Sequence, residues 1–248
     1  MGLSGKLIGA GLGYFLGGPL GAVVGGLIGH YVKDAPLGSG VGALHEDPRI
    51  RQQQQELYFT ASLVGILTAM IKADAEVRKE EVRAVREFFS DRLGYREESL
   101  DIVRNLIKEF MQNGVDLETL CRDVATRADY PTRLLLVECL LDAAMADGRV
   151  HPAEQAVLDQ AAALLGIAQA DLAGLMARGA GNGKDFGVLG VADSAGPEEV
   201  KKAYREMVKK YHPDRVAHLG DEFRELAHKK FLEVQAAYDR IRAAKGWT

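Results

Sequence analysis

Cysteine is scarce: only Cys121 and Cys139 occur in 248 residues, and they do not form a CxxC pair. This argues against a disulfide scaffold or a zinc ribbon. Both thiols fall within apolar helical patterns, which points to reduced, buried side chains. Neither sign of charge dominates. A formal net charge of −4 does not suit a protein that coats nucleic acid along its whole length. Strand signals are also lacking, since no alternating apolar and polar run of useful length occurs. The hydrophobic fraction of 47% is ordinary and sufficient for a packed core. The chain therefore reads as all-α.

Glycine is plentiful but uneven, with half of the 28 glycines lying before residue 45. From Leu7 to Val32 there is no Asp, Glu, Lys or Arg. At about 1.5 Å per residue, a helix of that length exceeds the roughly 30 Å hydrocarbon core of a bilayer. Within and just before it, Gly5, Gly9, Gly13, Gly17, Gly21, Gly25 and Gly29 recur at every fourth position, along one slowly drifting stripe. In water each would cost close to 1 kcal/mol relative to alanine. In a membrane the same stripe lets two helices approach closely. Residues 1–33 are therefore expected to form a transmembrane, glycine-zipper anchor that self-associates as a homodimer, with a kink at Pro19. A flexible tail would not explain the register. A cleaved signal peptide would have about half this apolar length.

Residues 34–52, with Pro36, Pro48 and the Gly38–Gly42 cluster, read as a linker. Residues 53–180 carry helical periodicity, as in Leu63, Ile66, Leu67 and Met70 or Leu134, Val137, Leu140 and Leu141. A shift of 73 positions pairs Leu67 with Leu140, Asp74 with Asp147 and Glu81 with Glu154, so a helix, acidic turn and second helix are repeated. Pro152 suits a first helical position, and Glu154 can then reach back to cap the helix. The runs Ala73-Asp74-Ala75-Glu76-Val77 and Ala146-Asp147-Gly148-Arg149-Val150 resemble the TerB-like helical domain. That resemblance makes Asp74, Glu76, Glu81, Asp147 and Glu154 candidate ligands for a hard cation. Arg149 replaces the second copy's acid, and capping alone explains the spacing, so no metal or other cofactor is expected.

Gly179–Gly183 break the pattern, and residues 181–248 follow as a further unit. A helix is expected from Pro197, with Val200, Ala203, Tyr204, Met207, Val208 and Tyr211 on one stripe and Lys201, Arg205 and Lys209 in a row elsewhere. Pro213 forces the preceding residue out of helical geometry. A later helix carries Ala227, Phe231, Val234, Tyr238 and Ile241, and the two stripes are expected to face each other in an antiparallel hairpin.

Lys202-Ala203-Tyr204-Arg205 followed by Lys210-Tyr211-His212-Pro213-Asp214-Arg215 closely resembles the second helix and signature loop of a J domain. Val188-Leu189-Gly190-Val191 resembles its first short helix, with Phe186 or Gly187 where a tyrosine is common. The resemblance implies a chaperone-binding face of Lys201, Tyr204, Arg205, Lys209, His212, Pro213 and Asp214. That face would stimulate ATP hydrolysis by a DnaK-type chaperone, the chain itself having no catalytic residue. The order of anchor, TerB-like bundle and C-terminal J domain resembles the DjlA type of membrane-anchored co-chaperone. A cytosolic partner implies a single-pass protein of the bacterial inner membrane with residues 33–248 in the cytoplasm, and Lys33, Arg49 and Arg51 agree with that orientation. Two other readings are a TerB-type membrane stress sensor or metal-binding adaptor, and nucleic-acid binding. The latter is disfavoured because the region from Lys184 has 13 basic and 11 acidic residues.

Overall fold

The structure is a computed structural model describing residues 48–73, 79–145, 150–179 and 185–247. It contains helices and no strand among the described residues, as the periodicity indicates. The glycine stripe lies outside them.

Helix α1, Pro48–Ala73, is the centre of the bundle. Its stretch from Gln52 to Ala73 is long and apolar enough to cross a membrane, but 67% of its apolar 18-residue window is buried in this fold, so it acts as a core helix. Leu63, Val64, Ile66 and Leu67 are all buried, which surrounds α1 with neighbours on several faces. Those neighbours include α3 (Glu97–Asn113), α4 (Leu117–Arg127), α5 (Tyr130–Ala144) and α6 (Pro152–Leu164). Gly65 allows the close approach of α4: a Cβ there would stand 2.8 Å from Leu120 Cδ2. Helix α2, Lys79–Glu87, runs into a π-helical turn at Phe88–Arg92 that buries Phe88 and Phe89. Helix α7, Gln169–Gly179, packs on α5.

The helix starts follow local chemistry. Asp116 and Asp129 cap α4 and α5 by accepting the Thr119 and Thr132 backbone N–H groups. Glu154 accepts the His151 backbone N–H at 2.9 Å, the reach-back expected at the start of α6. The repeated helix–turn–helix units are α1 with α2 and α5 with α6, joined through segments outside the described residues. Cys121 and Cys139 are free and buried, and burial pushes the Cys121 thiol up to about 12.

The C-terminal part comprises α8 (Asp185–Val188), α9 (Pro197–Lys210), two 3₁₀ turns (Pro213–Arg215 and Ala217–Leu219) and α10 (Asp221–Lys245). The first short helix lies slightly upstream of the expected position: Leu189 and Gly190 form a turn, with Gly190 at φ 70°. Phe186 packs against the hairpin core, and Lys245 Nζ lies 5.5 Å from its ring centroid. Val200 and Met207 of α9, with Tyr211 just after it, meet Val234, Ala237 and Ile241 of α10 in that core.

Helix α10 departs from the simple hairpin. Its first half, with Phe223, Leu226 and Ala227, is buried in the bundle core, together with Val216 and Leu219. Phe223 meets Phe59 edge-on at 4.7 Å between ring centroids. Ala227 thus serves the bundle, whereas Val234 and Ile241 serve the hairpin. One continuous helix enters both cores.

Candidate chaperone-docking site

The site is built at the end of α9. Its amphipathic sequence buries one stripe and leaves Lys201, Arg205 and Lys209 exposed, as expected from their spacing. Tyr204 is half-buried and stacks on Tyr238, with centroids 4.1 Å apart and planes 11° from parallel. Its ring therefore holds α9 on α10.

After Tyr211 the chain turns sharply. His212 has extended geometry, as a residue before proline should, and Pro213 opens the 3₁₀ turn. His212 Nδ1 accepts the Asp214 backbone N–H at 3.3 Å, and the Arg215 N–H donates to the His212 carbonyl at 3.0 Å. The imidazole lies edge-on to Phe231, 6.2 Å between centroids. Asp214 is 88% exposed and projects from the turn, with its carboxylate open to an incoming partner.

Sequence reasoning missed the residues around the loop. Lys210 pairs with Asp171 of α7 at 2.5 Å, and Arg215 lies 3.8 Å from Asp129. A groove of about 240 Å³ separates α7 from α9, lined by residues including Leu134, Gly174, Leu189 and Lys202. The motif's own spacing carries no signal for these partners, which come from helices far away in sequence.

Of the proposed acidic cation ligands, Asp74, Glu76 and Asp147 lie outside the described residues, as does the side chain of Glu81. Glu154 is engaged as a helix cap. No cluster of three or more metal-ligating side chains occurs among the described residues.

Comparison with known proteins matches all three parts. The profile for the DnaJ domain matches residues 185–245, and that for the tellurite resistance protein TerB matches residues 60–177. The co-chaperone DjlA transmembrane domain matches residues 1–40. The co-chaperone protein DjlA of Photobacterium profundum is 34% identical, with 98% of this chain and 99% of the relative covered. The chain belongs to the DjlA co-chaperone family. The DjlA proteins of Vibrio cholerae and Yersinia pseudotuberculosis are each 28% identical, over 99% and 98% of this chain and of the respective relative. No solved structure matches. DjlA membership explains why a J domain stands at the end of a helical bundle and behind a membrane-anchoring segment. The DjlA family is one of co-chaperones rather than of enzymes in their own right.

Proposed function

We propose that this protein stimulates ATP hydrolysis by a DnaK-type chaperone and couples it to clients at the bacterial inner membrane. The observation that carries this reading is the exposed His212-Pro213-Asp214 turn at the end of a helix bearing Lys201, Arg205 and Lys209. The basic row draws in an acidic chaperone surface through long-range attraction. Asp214 then makes a charge-assisted contact with a cationic side chain of the partner. Pro213 limits the conformations lost on docking, and His212 holds the turn through the Asp214 N–H.

Residues 1–33 anchor the protein as a homodimer through the glycine stripe, and the described domains face the cytoplasm, where an ATP-dependent partner resides. The DjlA transmembrane profile over residues 1–40 supports the anchor. Single-turnover ATP hydrolysis by a DnaK-type chaperone tests the core of the proposal. Wild-type protein is expected to accelerate it, whereas His212→Gln and Asp214→Asn, nearly isosteric changes in an exposed turn, are expected to abolish acceleration while leaving the helical signal intact. Full acceleration by either variant overturns the mechanism.

A further inference from the structure

The docking turn is strung between two cores. Tyr211, just before it, is 2% exposed and belongs to the hairpin core, while Val216, just after it, is 1% exposed and belongs to the bundle core. The bonds within the turn are few and local. The shape the turn presents is therefore set by how the end of α9 sits on the bundle.

That placement has a specific polar tie. Asp171 Oδ1 accepts from Lys210 Nζ at 2.5 Å, and Asp171 Oδ2 accepts from the Tyr130 hydroxyl at 2.5 Å. The Tyr130 oxygen in turn accepts the Ala168 backbone N–H at 3.1 Å. Both oxygens of the carboxylate are committed, so its direction is fixed. Lys210 and Asp171 side chains are 21% and 24% exposed, which weakens solvent screening relative to a surface pair. Lys210 is the last residue of α9, two positions before His212.

We propose that Asp171 is a positioning residue: through Lys210 it holds the end of α9 against the bundle and so pre-forms the His212-Pro213-Asp214 turn for the chaperone. This rests on the reading of that turn as the chaperone contact. Asp171 acts through Lys210 rather than by contact with the chaperone. Its effect is to reduce the ordering required on docking, which appears as affinity rather than as maximal rate.

The experiment is a double-mutant cycle on the full chain in lipid vesicles, with single-turnover ATP hydrolysis by a DnaK-type chaperone as readout. Asp171→Asn is expected to raise the half-saturating concentration roughly three- to tenfold, the range for ordering one or two side chains, with the maximal rate near wild type. Amide exchange at His212 and at residues 214–216 is expected to quicken well below the unfolding temperature, which a purely structural loss of stability would not produce selectively. Lys210→Met is expected to have a similar effect, and the double variant to be no worse than either single, because the two act through one contact. An unchanged half-saturating concentration in Asp171→Asn overturns the proposal. So do additive losses in the double variant, since Lys210 would then act on the chaperone directly. If wild type gives no stimulation at all, the chaperone reading itself fails, and that outcome is distinct from a failure of the brace.

Discussion

Lys230 of α10 places Nζ 3.1 Å from the carboxylate of Glu138, a residue of α5 whose side chain is only 5% exposed. Asp142, one turn further along α5, lies 3.3 Å from the same ammonium. The helix that carries the J-domain hairpin is thereby clamped to the bundle, in addition to the aromatic contact of Phe223 with Phe59. Burial alone would lower the Lys230 pKa, but Glu138 and Asp142 outweigh it and hold the ammonium above the ordinary lysine range. A raised lysine pKa means the contribution is fully present below the unfolded value of about 10.4 and is lost only as pH rises through the folded one.

Lys230→Met is accordingly expected to destabilise the fold by roughly 3–5 kcal/mol at neutral pH, because it leaves Glu138 buried without its cation. Much of that loss should return in Lys230→Met/Glu138→Leu, in which the most deeply buried charge is gone and only the partly exposed Asp142 is left without its cation. Denaturant unfolding of the two variants and of wild type measures both effects.

A fragment holding only residues 181–248 is expected to fold poorly. Cutting it from the bundle exposes Val216, Leu219, Phe223 and Leu226, which are buried in the shared core. At roughly 1.5–3 kcal/mol per side chain, the loss approaches the whole stability of a small domain. Calorimetry should show one cooperative transition for residues 48–248 and a much lower midpoint, with dye-binding apolar surface, for the fragment. Two independent transitions in the longer protein would contradict the shared core.

Much of this architecture is legible in the sequence, and the missing part has a physical cause. The stripe of Val200, Met207 and Tyr211 and the stop at Pro213 are local signals, and the structure realises both. The stripe on α10 continues unbroken from Phe223 through Ala227 and Val234 to Ile241, so periodicity alone does not reveal that it changes partners midway. Lys230 reads as one more solvated base until Glu138 and Asp142 are brought beside it. Asp171 is likewise an ordinary first-turn acid of α7 until α9 packs across it. Long-range partners of charged residues leave no spacing in the chain to read.

The junction near the start of α10 predicts a pH effect. Glu56 of α1 has its carboxyl pKa raised by burial, and next by the nearby charges of Glu222 and Asp221. Gly220, at φ 103°, brings the backbone so near that a Cβ would stand 2.6 Å from Glu56 Cδ. A carboxyl whose folded pKa exceeds its unfolded value costs stability at neutral pH, and that cost fades as pH falls through the folded pKa toward the unfolded one. Glu56→Gln should therefore stabilise the protein at pH 7 and flatten this part of the profile, while Gly220→Ala should destabilise it at every pH by roughly 1–3 kcal/mol through backbone strain. Unfolding midpoints measured between pH 4.5 and 7.5 give both comparisons.

The exposed row on α9 separates electrostatic steering from the directional contact at the turn. Lys201, Arg205 and Lys209 stand one turn apart and are all exposed, whereas Val200, Met207 and Tyr211 turn into the hairpin core. Their charges are hydrated, so reversing them should disturb the fold little. Attraction between such charges and an acidic chaperone surface reaches about 8–10 Å at physiological salt and shrinks as salt rises. Lys201→Glu/Arg205→Glu should slow association with the chaperone by roughly tenfold or more at low salt. The gap from wild type should close as salt is raised, because screening removes attraction and repulsion alike. Asp214→Asn should behave differently: its deficit persists at high salt, since a missing charge-assisted hydrogen bond is not restored by ions. Stopped-flow association at two ionic strengths separates the two. Salt-independent association of wild type and the charge-reversed variant would refute steering, even with the His212-Pro213-Asp214 turn proved essential.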